Sequence, residues 1–148
     1  MKRPYLTALL GGLSISLVSS WVVSWLAELI PSLKPKELQI VSDFFSQGIG
    51  PIQIMFFTIV VFLIPPIEEA IFRGSLWSFF EWINRSPKWT WICISVLFAV
   101  FHMEPLHVMG LLPLSFFLGW LRLKTGNIRA STVAHMANNT VGCLLMAI

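Results

Sequence analysis

Charge is scarce in this chain. Asp, Glu, Lys and Arg together supply 11% of its 148 residues, roughly half the share of an ordinary soluble domain. With 56% hydrophobic residues and a mean hydropathy of +0.79, that scarcity excludes a water-soluble globular domain and describes an integral membrane protein. Cysteine is equally thin: Cys93 and Cys143 stand in separate apolar runs with no Cys-x-x-Cys pairing. Neither a disulfide framework nor a cysteine-based metal site is suggested, and both thiols read as packing residues. The net charge of +3 and pI near 9.2 form no basic stripe, because the Lys and Arg residues are scattered between apolar runs, so nucleic acid is not a partner. Internal repeats and low-complexity tracts are missing too.

What the chain has is long apolar runs. Each crossing of a hydrocarbon core about 30 Å thick takes about 20 apolar residues, so the length holds one all-α bundle of about five transmembrane helices. Residues 5–30 form the first. Its apolar part is too long for a signal-peptide core, and no small-x-small cleavage site follows cleanly, so it reads as a retained helix. The polar stretch from Pro31 to Gly50 reads as a loop with a short surface helix around Glu37 to Phe45. From Pro51 to Trp82 an apolar run would extend about 48 Å as one helix, kinked by Pro65 and Pro66. Residues 88–103, 106–122 and 128–147 supply three more spans. The organisation is one domain, with residues 1–50 as a first helix and polar loop and residues 51–148 as a four-helix core.

Orientation follows from the basic residues. Lys2, Arg3, Arg85, Lys88, Arg122, Lys124 and Arg129 fall on one side of this layout, against Lys34 and Lys36 on the other. The positive-inside rule then places a multi-pass protein in the cell membrane with its N-terminus cytoplasmic. Trp77, Trp82, Trp89, Trp91 and Trp120 lie mainly near span ends, as an aromatic belt requires.

Against this apolar background stand Glu68, Glu69 and Arg73 in one span, His102 in the next, and His135 with Asn139 in the last. Ionisable groups at bilayer depth cost roughly 2.5–3.5 kcal/mol each even on lenient insertion scales, so they usually line a site or pathway. Glu69 and Arg73 are four residues apart with the acid first, the favoured orientation for a helical ion pair. Glu68 points about 100° away from Glu69, lacks that partner and becomes the candidate general base. His135 and Asn139 share one helical face, and both histidines and the amide would converge on Glu68. Asn138 points about 100° away from Asn139. Counting from the basic anchors at 1.5 Å per residue puts Glu68 and His102 at similar heights, roughly 24 and 21 Å, but His135 at only about 11 Å. A Glu, His, His set can also hold zinc with an open fourth position, which would make Glu68, His102 and His135 the ligands. The His-Glu-x-x-His helix that makes zinc spacing diagnostic is absent, so a metal-independent glutamate mechanism with no cofactor is preferred.

Glu-Glu-Ala-Ile-Phe-Arg-Gly at 68–74, Phe-x-x-x-His at 98–102 and His-x-x-x-Asn at 135–139 resemble, in order and approximate spacing, the three signatures of the CAAX-protease and bacteriocin-processing family of intramembrane endopeptidases. The resemblance covers about residues 60 to 148. It implies that Glu68 activates water with help from His102, that His135 and Asn139 stabilise the oxyanion, and that Glu69 and Arg73 support the site. The lipid bilayer and a membrane-associated peptide or protein substrate would be the partners.

Each residue also has a bland reading. Glu69 with Arg73 reads as a structural ion pair, His102 alone as an interfacial residue, His135 alone as an interhelical hydrogen bonder, and Glu104 and His107 as interface residues. Three classes of function follow: an intramembrane endopeptidase, a non-catalytic bacteriocin-immunity or binding protein of the same fold, and a proton-coupled carrier. A carrier needs no oxyanion donor and usually shows repeats or broken helices in both halves. The endopeptidase is the reading the combined pattern favours.

Overall fold

A computed structural model describes residues 3–33, 40, 43–46, 48–84 and 86–146. Five long helices follow one another, as the apolar runs predict: α1 (Pro4–Leu29), α2 (residues 51–84), α3 (Pro87–Val100), α4 (Pro105–Thr125) and α5 (Arg129–Met146). Proline opens the first four at Pro4, Pro51, Pro87 and Pro105. Its fixed φ suits the first helical turn, where the missing N–H has no intrahelical acceptor to serve. At the other end of α4, Gly126 takes φ 73° and returns its N–H to the Arg122 carbonyl, a left-handed cap that glycine accepts without strain.

Pro4–Leu29, Pro51–Ile83 and Pro105–Thr125 are long and apolar enough to cross a membrane. α3, at 14 residues, rises about 21 Å and is shorter than one crossing. α5 is diluted by Ser131, Thr132, His135, Asn138, Asn139 and Thr140. Large apolar residues such as Trp21, Phe62, Trp82 and Phe101 are exposed around the outside, as lipid-facing positions are. The protein is an all-α membrane bundle.

α4 is its axis, packed against α1, α3 and α5, while α1 also lies along α5. Leu114, Leu118 and Leu121 of α4 meet Ala8 of α1 and Ala130 and Ala134 of α5 in one buried cluster. Phe72, Trp77, Ile94 and Phe98 form a second, where α2 meets α3. Small residues permit the closest approach: a Cβ on Gly12 would drive into the backbone carbonyl of Ala134, so α1 touches α5 main chain to main chain.

The long α2 is continuous rather than sharply divided. It alternates α-helix and π-helix: Pro51–Thr58 (α), Ile59–Leu63 (π), Ile64–Glu69 (α), Ala70–Leu76 (π) and Trp77–Asn84 (α). Both π segments flank the acidic pair. The surface helix expected around Glu37 to Phe45 falls largely outside the described residues, with 43–46 helical. Lys2, Lys34, Lys36 and Arg85 also lie outside them.

Candidate active site

The two prolines shape the site before any ionisable group does. In the first π turn the N–H of Ile64 reaches back to the Ile59 carbonyl. The next donor in that register belongs to residue 65, and proline has none, so the Val60 carbonyl is left for a partner outside the helix. Asn139 of α5 supplies it, donating from Nδ2 across 3.0 Å. Asn138 Nδ2 in turn donates to Asn139 Oδ1 at 3.3 Å, which fixes the amide's orientation. The sequence reading cast Asn139 as an oxyanion donor; one of its two N–H groups is occupied by this helix contact.

Glu69 and Arg73 are both fully buried and pair at 3.0 Å between Arg73 Nη1 and Glu69 Oε1. The guanidinium goes on to α4, where Nη2 donates to the Ser115 hydroxyl at 2.9 Å and to the Ser115 carbonyl at 3.2 Å. Ser115 and Ser95 exchange hydroxyl-to-carbonyl bonds between α4 and α3, at 2.7 and 3.1 Å. One arginine thus ties three helices. Its charge is also met by the ring of Phe98, 4.2 Å below the guanidinium carbon. Ser95 and Ser115 were not singled out in the sequence; a hydroxyl in each of two neighbouring apolar spans was the available signal.

His135 is the centre of the constellation. Its Nδ1 lies 3.1 Å from Glu69 Oε1, and its Nε2 lies 3.5 Å from Glu68 Oε2. Glu69 Oε1 already accepts from Arg73, so it accepts from His135 as well, and Nδ1 is the protonated nitrogen of that contact. This arrangement corrects the height estimate, which set His135 well below Glu68. The Arg122 side chain at the end of α4 donates to the carbonyl of Arg73 at 2.9 Å and sits over Trp77. The end of α4 is therefore level with Arg73 and Trp77, well before α2 ends. The count up from the basic anchors began too low for Glu68.

Glu68 is half-buried, its side chain 28% exposed, in contrast to the fully buried Glu69 beside it. It shares a pocket of about 390 Å3 with His102, Ile71, Phe72, Leu76, Leu97 and Phe101. At the end of α3 the His102 backbone N–H bonds to Ala99 rather than to Phe98. The ring takes over the vacated carbonyl: Nδ1 donates to the Phe98 oxygen at 2.9 Å, which leaves Nε2 for the pocket. Phe98 separates the two imidazoles while touching both, with ring centroids 5.1 Å from His102 and 5.5 Å from His135. Glu68 thus meets His135 directly and shares its pocket with His102; Asn139 stands one turn beyond His135. Glu104 caps α4 by accepting from the His107 N–H at 2.7 Å. Among the described residues no group of three or more His, Cys, Asp or Glu side chains stands ready to hold a metal ion.

No curated protein and no solved structure matches the chain. A family model does, the one described as Type II CAAX prenyl endopeptidase Rce1-like, over residues 50–141. The match spans α2 to α5, takes in all six residues of the constellation and covers more than half of the sequence, and the chain belongs to this Rce1-like peptidase family.

Proposed function

We propose that the protein is an intramembrane endopeptidase that hydrolyses a peptide bond of a membrane-associated peptide or protein by a metal-independent glutamate mechanism. The observation that carries the reading is the pocket shared by Glu68 and His102, with His135 Nε2 3.5 Å from the Glu68 carboxylate. Glu68 takes a proton from water, assisted by the free Nε2 of His102, as the water oxygen bonds to the scissile carbonyl carbon. Charge then develops on the carbonyl oxygen. With His135 protonated at both nitrogens, the charges of Glu68, Glu69, Arg73 and His135 sum to zero, and Nε2–H is available to that oxygen. The second N–H of Asn139 is the other donor. The tetrahedral intermediate collapses as the C–N bond breaks, and Glu68 returns its proton to the leaving amine.

Ile71, Leu97 and Phe101 on the pocket's rim are exposed apolar residues, which suits a substrate arriving sideways from the bilayer. Arg3, Lys88, Arg122, Lys124 and Arg129 gather at the end of the bundle where α1 begins, since Ala8 packs against Leu121 and Ala130. That end is the cytoplasmic one in a cell-membrane protein by the positive-inside rule. The test is cleavage of membrane-peptide libraries by purified protein in detergent, wild type beside Glu68→Gln, with and without a chelator. Wild-type cleavage that Glu68→Gln abolishes and chelation spares is expected. Undiminished cleavage by Glu68→Gln, or none by wild type, overturns the reading, and loss on chelation replaces it with a metal mechanism. Toxin protection that survives Glu68→Gln would identify an immunity protein without turnover.

A further inference from the structure

Hydrolysis consumes one water per bond cleaved, yet the rim of the Glu68 pocket is apolar and faces lipid. Water needs a second approach. On the α1 side of α5 lies a crevice of about 140 Å3 between α1, α4 and α5, whose polar lining includes Ser16, Ser19, Ser20, His107 and Asn138. By the same measure a single water needs roughly 10–15 Å3, so several fit, and a polar wall offers each the partners it requires. The three serines recur at the spacing of one helical face, turned inward in a helix otherwise built for lipid. Ser16 Oγ donates to the Asn138 carbonyl at 3.0 Å, anchoring this wall to α5.

Two contacts connect the crevice to the site. The His107 ring lies 5.8 Å from the ring of His102, centroid to centroid, and Asn138 Nδ2 lies 3.3 Å from Asn139 Oδ1. We propose that the crevice is a water reservoir, and that the seam through His107–His102 and Asn138–Asn139 delivers water to Glu68 while substrate uses the opposite, lipid-facing mouth. The proposal rests on the endopeptidase reading. It makes Ser16, Ser19, Ser20, His107 and Asn138 positioning residues for the nucleophilic water.

The test uses the full chain in membranes with Cys93 and Cys143 replaced by alanine. Cysteine is placed at Ser20, facing the crevice, or at Leu17, an exposed apolar position on α1. A small charged methanethiosulfonate reacts with thiolate, which forms only where water reaches, so Ser20→Cys is expected to label about tenfold faster than Leu17→Cys. Labelling is then expected to lower kcat about tenfold at unchanged KM, compared with the same variant before labelling. Equal labelling at both positions, including through a lipid that fills the crevice, overturns the water route, as does full kcat after complete labelling. If the unlabelled protein cleaves nothing, the endopeptidase reading falls, and the route with it, whatever the labelling shows.

Discussion

Asn139 donates its side-chain amide to the carbonyl of Val60 across 3.0 Å, closing a gap that Pro65 opens in α2. Removing it leaves a backbone acceptor bare in an apolar setting. Asn139→Ala is expected to cost about 1 kcal/mol of stability, the usual scale of an interhelical hydrogen bond in a membrane protein. If Asn139 is also an oxyanion donor, its loss lowers kcat by about 10²-fold or more. Thermal unfolding in detergent and steady-state cleavage separate the two. A variant that unfolds earlier but keeps its kcat would limit Asn139 to holding the helix.

Glu68 behaves differently, because it is half-buried and its one described ionic contact is the 3.5 Å approach of His135. Glu68→Gln is expected to unfold within about 0.5 kcal/mol of wild type. Its cleavage rate is expected to fall about 10²- to 10⁴-fold, the range of a lost general base. A large drop in unfolding temperature would show that Glu68 is structural instead.

The pair beneath it is inseparable from the fold. Arg73→Met strands the fully buried Glu69 carboxylate and is expected to cost about 3–5 kcal/mol. Glu69→Gln combined with Arg73→Met removes both charges and is expected to recover much of that loss. Activity should not return with it, since His135 Nδ1 then lacks the carboxylate that aims the ring. Unfolding and cleavage measured on the double-mutant cycle decide the matter; a single Arg73→Met as stable as wild type would refute the tie.

Gly12→Ala tests the contact that holds α1. Its Cβ would strike the Ala134 carbonyl, one residue before His135. Overpacking of this kind costs about 1–3 kcal/mol. The expected readout is a lower unfolding temperature together with reduced cleavage, and normal values for both would mean that α1 gives way freely.

Much of this arrangement is legible in the amino-acid sequence. Long apolar runs fix helix order, and the spacing of Glu69 and Arg73 fixes a same-face pair. The resemblance carried by 68–74, 98–102 and 135–139 pointed to the peptidase family that the match over 50–141 shows. Height was not legible, because a linear count of rise per residue holds no information on where Arg122 meets Arg73. The partners of Arg73 were hidden for a similar reason: Ser95 and Ser115 are unremarkable until two helices bring them together. The contact of Asn139 with α2 was concealed in a register shift, since it takes a π turn whose next donor would be Pro65 to leave the Val60 carbonyl open to α5.

The bond from Arg73 to Ser115, and from Ser115 to Ser95, ties α2, α4 and α3 together. In the endopeptidase proposed above, the doorway flanked by Ile71 and Leu97 would be framed by tied helices, so its width would be set by rotamers of the flanking residues, Phe101 above all, and the girth of an incoming side chain would decide which substrates enter.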